Sequence, residues 1–202
     1  EEIDYPLAEF SSLNEILGET LAGGRRLGVV GMLDIPFPIM ERIQNAGSAV
    51  EIVDAADILN ALRLVKSPDE IACLRRAGEL ACIGYEKLME NCQPGNTERQ
   101  AAGAGEGAAR MAGAEDINFT VFGSGPRAAT IIGRPVERIM GDGDMVMAAL
   151  AVQYEGYVAT VEYPFVIGRA TDGQKRFLAA LFEAANVQQG YLKSGVISGE
   201  MA

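Results

Sequence analysis

The longest apolar pattern in the chain lies within residues 143–168 and predicts a β-hairpin. Residues 145–152 form an unbroken apolar run, which is typical of a strand buried on both faces. Residues 153–156 carry the polar side chains and the glycine of a tight turn, and residues 157–167 form a second run rich in β-branched and aromatic residues. The pattern therefore predicts a hairpin in the middle of a sheet, and Glu162 is its one conspicuous charge.

Two amphipathic helices are predicted after residue 66, because apolar residues recur there at spacings of three and four. Residues 67–70, Ser-Pro-Asp-Glu, indicate a helix start, since serine caps the helix, proline suits its first turn and glutamate completes a capping box. We expect this helix to run to about Cys92. Asn96 or Thr97 then caps a second helix, which we expect to end near Ala112.

The remaining pattern indicates short elements on both sides of these helices. Before residue 66 it predicts a helix within residues 1–24 that Ser11 or Ser12 caps, a strand at 25–32, a helix at 36–46, a strand at 49–53 and an amphipathic segment at 54–65. After residue 112 it predicts a strand at 117–122, a turn at 123–126, an extended piece at 129–132, a helix at 172–191 and a capped segment at 193–202. Strand, helix and strand before residue 54 form a βαβ unit with parallel strands.

A glycine-rich stretch lies inside the second long helix. Residues 103–108 read Gly-Ala-Gly-Glu-Gly-Ala, which matches the dinucleotide-binding pattern G-x-G-x-x-A. The stretch follows a helix cap rather than a strand, so a phosphate would meet no strand-to-helix turn. We interpret it as close packing of two helices through small residues.

Composition and charge exclude several classes of function. The formal net charge of −11 argues against a nucleic-acid partner, because binding to phosphates needs clustered lysine and arginine. No apolar run approaches the roughly 20 residues that span a bilayer, and residues 1–5 lack the basic start of a signal peptide. The sequence therefore predicts a cytoplasmic protein without a membrane segment. The three cysteines have neither zinc nor disulfide spacing and are expected to be reduced, mostly buried thiols.

The chain contains no histidine. This excludes, within these 202 residues, a Ser-His-Asp or Cys-His nucleophile system, a histidine general base and any histidine metal ligand.

The order and spacing of several short motifs resemble those of the creatinase, prolidase and aminopeptidase P family, peptidase family M24. The motifs are residues 62–70 (Leu-Arg-Leu-Val-Lys-Ser-Pro-Asp-Glu), 74–77 (Leu-Arg-Arg-Ala), 94–98 (Pro-Gly-Asn-Thr-Glu), 123–125 (Gly-Ser-Gly), 143–146 (Gly-Asp-Met-Val) and 154–157 (Tyr-Glu-Gly-Tyr). The resemblance implies an α/β (α+β) fold in which a pita-bread catalytic domain follows a small N-terminal α/β domain. Residues 1–65 would be the C-terminal part of that N-terminal domain, and residues 66–202 the first half of the pita-bread domain.

The resemblance also shows where the chain departs from the family's metal site. Most members are dimetal peptidases that cleave bonds before proline, and their first two aspartate ligands fall on Ala149 and Thr160. Alanine has no donor atom, and a neutral hydroxyl does not replace a carboxylate for Mn²⁺, Co²⁺ or Zn²⁺. The family's following arginine falls on Tyr163, and its His-Gly-x-Pro segment appears here as residues 132–135, Ile-Gly-Arg-Pro. We therefore expect no metal and no other cofactor.

Creatinase is the metal-free branch of the family, and it grips the guanidinium group of creatine with carboxylates. One of those carboxylates falls on Glu162. The alternative interpretation, that Glu162 is only an exposed carboxylate on a strand, has equal weight. With histidine absent, a tyrosine would have to donate the proton to the leaving amine, and we assign Glu162 and Tyr157 as candidate catalytic residues. Arg127, Arg134 and Tyr163 are candidate substrate-binding residues, since an arginine can hold a carboxylate through two hydrogen bonds.

These observations lead to three hypotheses for function. The first is a metal-independent hydrolase-like protein acting on or binding a small amide, guanidino or peptide-like substrate. The alternatives are a non-catalytic pita-bread binding protein and an Xaa-Pro dimetal peptidase whose hairpin is misaligned. By resemblance, the partners are a small-molecule or peptide substrate and a second copy of the chain in a homodimer.

Overall fold

A computed structural model describes residues 12–21, 26–46, 50–129, 133–197 and 199. The chain divides into two compact units, residues 1–66 and residues 67–202. Among the described residues, no helix is both long enough and apolar enough to cross a bilayer.

The first unit alternates short helices with two strands. Its elements are α1 (Leu13–Leu21), β1 (Arg26–Val29), α2 (Phe37–Ala46), β2 (Glu51–Asp54) and α3 (Ala56–Leu64). Strands β1 and β2 pair in parallel, from Arg26 opposite Glu51 to Val29 opposite Asp54. This confirms the predicted βαβ unit. The Ser12 hydroxyl accepts a hydrogen bond from the Glu15 amide at 3.2 Å, which confirms Ser12 as the cap of α1. Residues 1–11, including Ser11, lie outside the described residues.

The second unit packs helices on a three-stranded sheet. Its elements are α4 (Pro68–Asn91), α5 (Glu98–Met111), β3 (Asp116–Ser124), a 3₁₀ helix (Gly125–Ala129), β4 (Met145–Tyr154), β5 (Tyr157–Val166) and α6 (Asp172–Tyr191). Both predicted long helices are confirmed, with Ser67 and Thr97 as their caps. Each cap is a complete capping box, closed by Glu70 in α4 and by Gln100 in α5.

The sheet is antiparallel in the order β3-β4-β5, so the hairpin prediction is confirmed. Its position is corrected, because β5 lies at the edge of this sheet as far as the described residues show, and only β4 is central. The turn consists of Glu155 and Gly156, whose φ angles are 49° and 76°. Two central residues with positive φ match the twist of a two-residue hairpin turn.

The core of the second unit lies between the sheet and helices α4 and α5. Every second residue of β4 belongs to it, together with large side chains from the helices and from β3: Val146, Ala148, Leu150, Val152, Leu80, Tyr85, Leu88 and Phe122. The intervening residues Ala149 and Ala151 are also buried, which explains the unbroken apolar run that predicted this strand.

The glycine-rich stretch of α5 is the contact between the two long helices. An added Cβ at Gly105 would lie 2.7 Å from the Gly84 carbonyl oxygen and 2.8 Å from the Leu88 Cβ. The interpretation as close helix packing is therefore confirmed at Gly105.

Several finer predictions differ from the structure. Strand β3 extends through Ser124, and a 3₁₀ helix replaces the turn predicted at 123–126 and the start of the extended piece predicted at 129–132. Residues 130–132 and most of the segment after residue 197 lie outside the described residues. Helix α6 has the predicted bounds but buries none of its described side chains. Of the three thiols only Cys92 is buried, while Cys73 is half-buried and Cys82 exposed, so the expectation of mostly buried thiols is wrong.

Candidate functional site

The hairpin places Ala149 directly opposite Glu162. The strand register pairs Ala149 with Glu162 and Ala151 with Thr160. Because side chains alternate along a strand, these four residues share one face of the sheet, opposite the face that α4 and α5 cover. We call this group the sheet-face site. The two alanines form its buried floor, and Thr160 and Glu162 are exposed at its β5 side.

Glu162 is the only carboxylate in the sheet-face site. Its side chain is exposed, and it makes no hydrogen bond or ion pair with the described residues. The carboxylate is therefore available to a ligand from solvent. A carboxylate accepts hydrogen bonds, so this side chain suits a ligand that carries a positively charged donor.

The residues of this site do not fit a divalent metal. Hard and borderline divalent cations in proteins take carboxylate, imidazole or thiolate ligands, usually several at once. Ala149 contributes a methyl group and Thr160 a neutral hydroxyl, which leaves Glu162 as a single ligand. Across the described ranges, no group of three or more histidine, cysteine, aspartate or glutamate residues could hold an ion.

Tyr157 lies on the other face of the sheet. It is five residues from Glu162 along β5, so strand alternation points the two side chains to opposite faces. The Tyr157 hydroxyl donates a hydrogen bond of 3.0 Å to the Glu70 carboxylate at the start of α4. The structure thus places the two side chains on opposite faces of the sheet, and the assignment of Tyr157 as a catalytic residue stays a prediction.

Tyr163 follows Glu162 in β5, but it contacts residues of α4 and α6 rather than the sheet-face site. Its ring packs against Phe182 of α6, with ring centroids 4.9 Å apart and planes tilted by 32°. Its carbonyl oxygen accepts a hydrogen bond from the Tyr85 hydroxyl. Burial raises the pKa of the Tyr85 hydroxyl, so that side chain stays neutral. Tyr163 and Glu162 both line a cavity next to α6.

Arg127 is held by a buried carboxylate of the protein itself. Its guanidinium forms an ion pair with Glu98, whose side chain is fully buried. It also donates a hydrogen bond of 3.1 Å to the Arg134 carbonyl oxygen. Arg127 thus has internal partners, and its assignment as a substrate-binding residue stays a prediction.

Arg134 remains accessible to a ligand. Its exposed side chain lines a cleft of about 1000 Å³ along β3, together with Arg99, Glu106 and Phe119. This cleft lies on the β3 side of the sheet, whereas Glu162 lies on β5, and β4 separates the two strands. The structure therefore distributes the predicted site residues over both edges of the sheet.

Glu98 is the polar residue that the sequence did not reveal. It accepts hydrogen bonds from the Ser124 amide at 3.0 Å, the Ser124 hydroxyl at 2.6 Å and the Val136 amide at 3.1 Å, in addition to the Arg127 pair. A glutamate in the first turn of a helix is typically exposed, and its negative charge interacts favourably with the helix dipole. Nothing in the local pattern of Thr97-Glu98 indicated burial, because all four partners come from residues 124–136.

A second ion pair lies at the entrance to β4. Arg138 donates to both carboxylate oxygens of Asp144, at 2.7 and 3.1 Å, and also to the Ser124 hydroxyl at 2.8 Å. The hydrogen bond from Arg138 lowers the pKa of the Asp144 carboxyl, which keeps it ionised. Ser124 thus links Glu98 to the Arg138–Asp144 pair and ties the start of the hairpin to α5.

The fold and the motifs are those of a mixed α/β protein with the pita-bread arrangement. The profile of metallopeptidase family M24 matches residues 72–202, more than half of the chain. The chain belongs to metallopeptidase family M24. This confirms both the family and the fold class expected from the sequence.

Several of the relatives that the chain matches are named as Xaa-Pro peptidases. It is 27% identical over 202 residues to the Xaa-Pro dipeptidase of Pyrococcus horikoshii, covering all of this chain and 57% of the relative. It is 29% identical over 164 residues to the Xaa-Pro aminopeptidase of Escherichia coli, covering 78% of this chain and 37% of the relative. The chain thus spans about half the length, or less, of the curated relatives it matches.

Solved structures give the same result for the fold. The Pyrococcus horikoshii prolidase superposes with a TM-score of 0.86 at 26% identity, over 98% of this chain and 56% of that one. The X-Pro aminopeptidase of Thermotoga maritima superposes with a TM-score of 0.83 at 23% identity, over 94% and 54%. At the latter identity the likeness supports the fold alone.

Proposed function

We propose that this protein is a metal-independent member of family M24 that acts on or binds a small substrate with an amide, guanidino or peptide-like C–N bond, using Glu162 to hold the cationic end. The observation that carries the proposal is the pairing of Ala149 with Glu162 across the hairpin. By the family resemblance, Ala149 and Thr160 stand where two aspartate ligands would lie on this face, while one exposed carboxylate remains. A carboxylate without a metal binds an ammonium or guanidinium group by charge-assisted hydrogen bonds.

The names of the relatives support a peptide-like substrate. Both curated relatives described above are Xaa-Pro peptidases, and a peptide with a free amino end carries the cation that Glu162 would hold. Arg134 is proposed to hold a carboxylate of the substrate. Arg127 stays a second candidate for this contact, although its guanidinium is already paired with Glu98.

A non-catalytic binding function is the second candidate. It is favoured by the position of Tyr157 on the other face of the sheet and by the absence of histidine from the chain. Cleavage of a C–N bond needs a proton donor for the leaving amine, and these residues supply none beside Glu162. This candidate predicts binding of the substrate class without formation of product.

The Xaa-Pro dimetal peptidase is the third candidate, and the names of the relatives favour it. It requires carboxylates on the sheet face where Ala149 and Thr160 lie. We further propose a homodimer, on the basis of the family resemblance.

We expect Glu162→Gln to weaken binding of cationic substrates by at least about tenfold, because a hydrogen bond to a charged group contributes roughly 1.5–3 kcal/mol. The measurement is calorimetry and product analysis on the full-length protein with a panel of Xaa-Pro dipeptides, guanidino acids and small amides. Glu155→Gln removes an exposed carboxylate at the hairpin turn and is the matched control. Unchanged affinity and turnover in the Glu162 variant would contradict the proposal.

A further inference from the structure

Tyr85 joins helix α4 to the hairpin through its hydroxyl. The residue is 3% exposed, and the hydroxyl donates to the carbonyl oxygen of Tyr163 on β5 and, at 3.2 Å, to that of Ala148 on β4. Ala148 and Tyr163 are cross-strand partners in the register of the hairpin. The hydroxyl therefore lies over the junction between the two strands, on the face of the sheet that α4 covers.

This junction lies one position from the sheet-face site. The next cross-strand pair along the hairpin is Ala149 with Glu162. Because side chains alternate along a strand, the Glu162 side chain lies on the opposite face from that of Tyr163, and Tyr85 can influence it only through the backbone. The position of the Glu162 carboxylate relative to Ala149 depends on how β5 lies against β4 at this pair.

Two further observations indicate that the hydroxyl fixes the backbone here. Pro164 follows Tyr163 and has no amide hydrogen, so this part of β5 has one backbone donor fewer to hold it. The Tyr85 ring also packs edge-on against Phe165 of β5, with ring centroids 6.5 Å apart and planes at 86°. Burial raises the pKa of the Tyr85 hydroxyl, and the negative charge of Glu162 raises it further, so the hydroxyl keeps its proton and stays a donor.

We propose that Tyr85 is a positioning residue for Glu162: its hydroxyl holds the backbone of β5 against β4 beside Glu162 and so keeps the carboxylate over the alanine floor of the sheet-face site. This inference rests on the proposed function, because it concerns the same carboxylate. It goes further by assigning the contact that determines where the carboxylate lies. Tyr85 is buried between α4 and the sheet, so it acts through the backbone and does not touch the ligand.

The effect on the backbone can be measured without a ligand. We expect Tyr85→Phe in the full-length protein to speed hydrogen exchange in the peptides that cover β5 by at least about threefold, the order of factor that one net hydrogen bond contributes. The ring and its packing on Phe165 remain, so the variant should fold. Tyr154→Phe is the matched control, because it removes a hydroxyl of the same hairpin that makes no hydrogen bond with the described residues. It should leave the exchange unchanged.

The link to Glu162 requires a double-mutant cycle. Calorimetry follows the binding of alanyl-proline and guanidinoacetate to the full-length wild type, Tyr85→Phe, Glu162→Gln and the double variant. We expect Tyr85→Phe to weaken binding by at least about threefold when Glu162 is present and to cause no further loss when Glu162→Gln is already present. Val152→Ala removes a core side chain of β4 on the face that α4 covers, so it should lower the stability but not the affinity.

The outcomes distinguish this inference from the proposed function. Faster exchange in β5 together with a non-additive loss of affinity would support the inference. Unchanged exchange, unchanged affinity of Tyr85→Phe, or losses that add in the double variant would overturn it, and so would an equal loss of affinity in Val152→Ala. In each of these cases a loss of affinity in Glu162→Gln leaves the proposed function intact. If Glu162→Gln binds both probes as the wild type does, or if the wild type binds neither, both proposals are overturned.

Discussion

We expect Glu98→Ala to lower the free energy of unfolding by about 3–5 kcal/mol, the usual cost of removing one partner from a buried ion pair. The substitution leaves the Arg127 guanidinium without its carboxylate. It also leaves the Ser124 amide and hydroxyl and the Val136 amide without an acceptor. A buried donor without an acceptor costs the full penalty of its desolvation. The measurement is urea unfolding of the full-length protein, with the m-value checked for two-state behaviour.

Glu137→Ala provides the matched control for this prediction. Glu137 also pairs with an arginine, Arg99, at 2.8 Å, but both side chains are more than half exposed. Exposed ion pairs contribute at most about 1 kcal/mol, so this variant should unfold almost like the wild type. A loss below about 1 kcal/mol for Glu98→Ala would show that the Glu98 network does not hold the segment around Val136 against β3.

We expect Gly105→Ala to destabilise the protein by about 2–3 kcal/mol, because the added methyl group overpacks the contact between α4 and α5. The new Cβ would lie 2.7 Å from the Gly84 carbonyl oxygen, a backbone atom that cannot rotate away. The two helices would have to separate, and Leu88 and Leu150 behind them would lose contacts in the core.

Gly107→Ala should stabilise the protein, in contrast to Gly105→Ala. Gly107 lies in the same helix, but an added Cβ there meets no atom within 4 Å. Alanine lowers the conformational entropy of the unfolded chain and favours the helix, which is worth about 0.5–1 kcal/mol. Urea unfolding of the two variants should therefore move the midpoint in opposite directions. Equal shifts would mean that intrinsic helix propensity, and not the close helix contact, determines the effect.

Local signals predicted the elements of this fold well. The capping boxes at Ser67 and Thr97 involve residues only three positions apart, so the sequence contains both partners. The hairpin is equally local, because its two-residue turn determines the whole register. The pairing of Ala149 with Glu162 follows from the turn at Glu155 and Gly156, since each step away from the turn pairs the next residue on either strand.

The features that the sequence did not predict depend on contacts between residues that lie far apart in the chain. The partners of Glu98 lie 26 to 38 positions along the chain, and no periodic pattern indicates them. The engagement of Arg127 by Glu98 was hidden for the same reason. The separation of Tyr157 from Glu162, in contrast, was available from strand alternation, because an odd number of positions separates them.

The central claim is that the sheet-face site holds no divalent metal, and calorimetric titration of the full-length protein with Mn²⁺, Co²⁺ and Zn²⁺ tests it most directly. The variant Ala149→Asp/Thr160→Asp is the matched comparison, because it restores two carboxylates to the face that carries Glu162, and it should gain affinity. We predict no tight binding by the folded wild-type protein. Tight binding at two sites in the wild type would contradict the account and favour the Xaa-Pro dimetal peptidase.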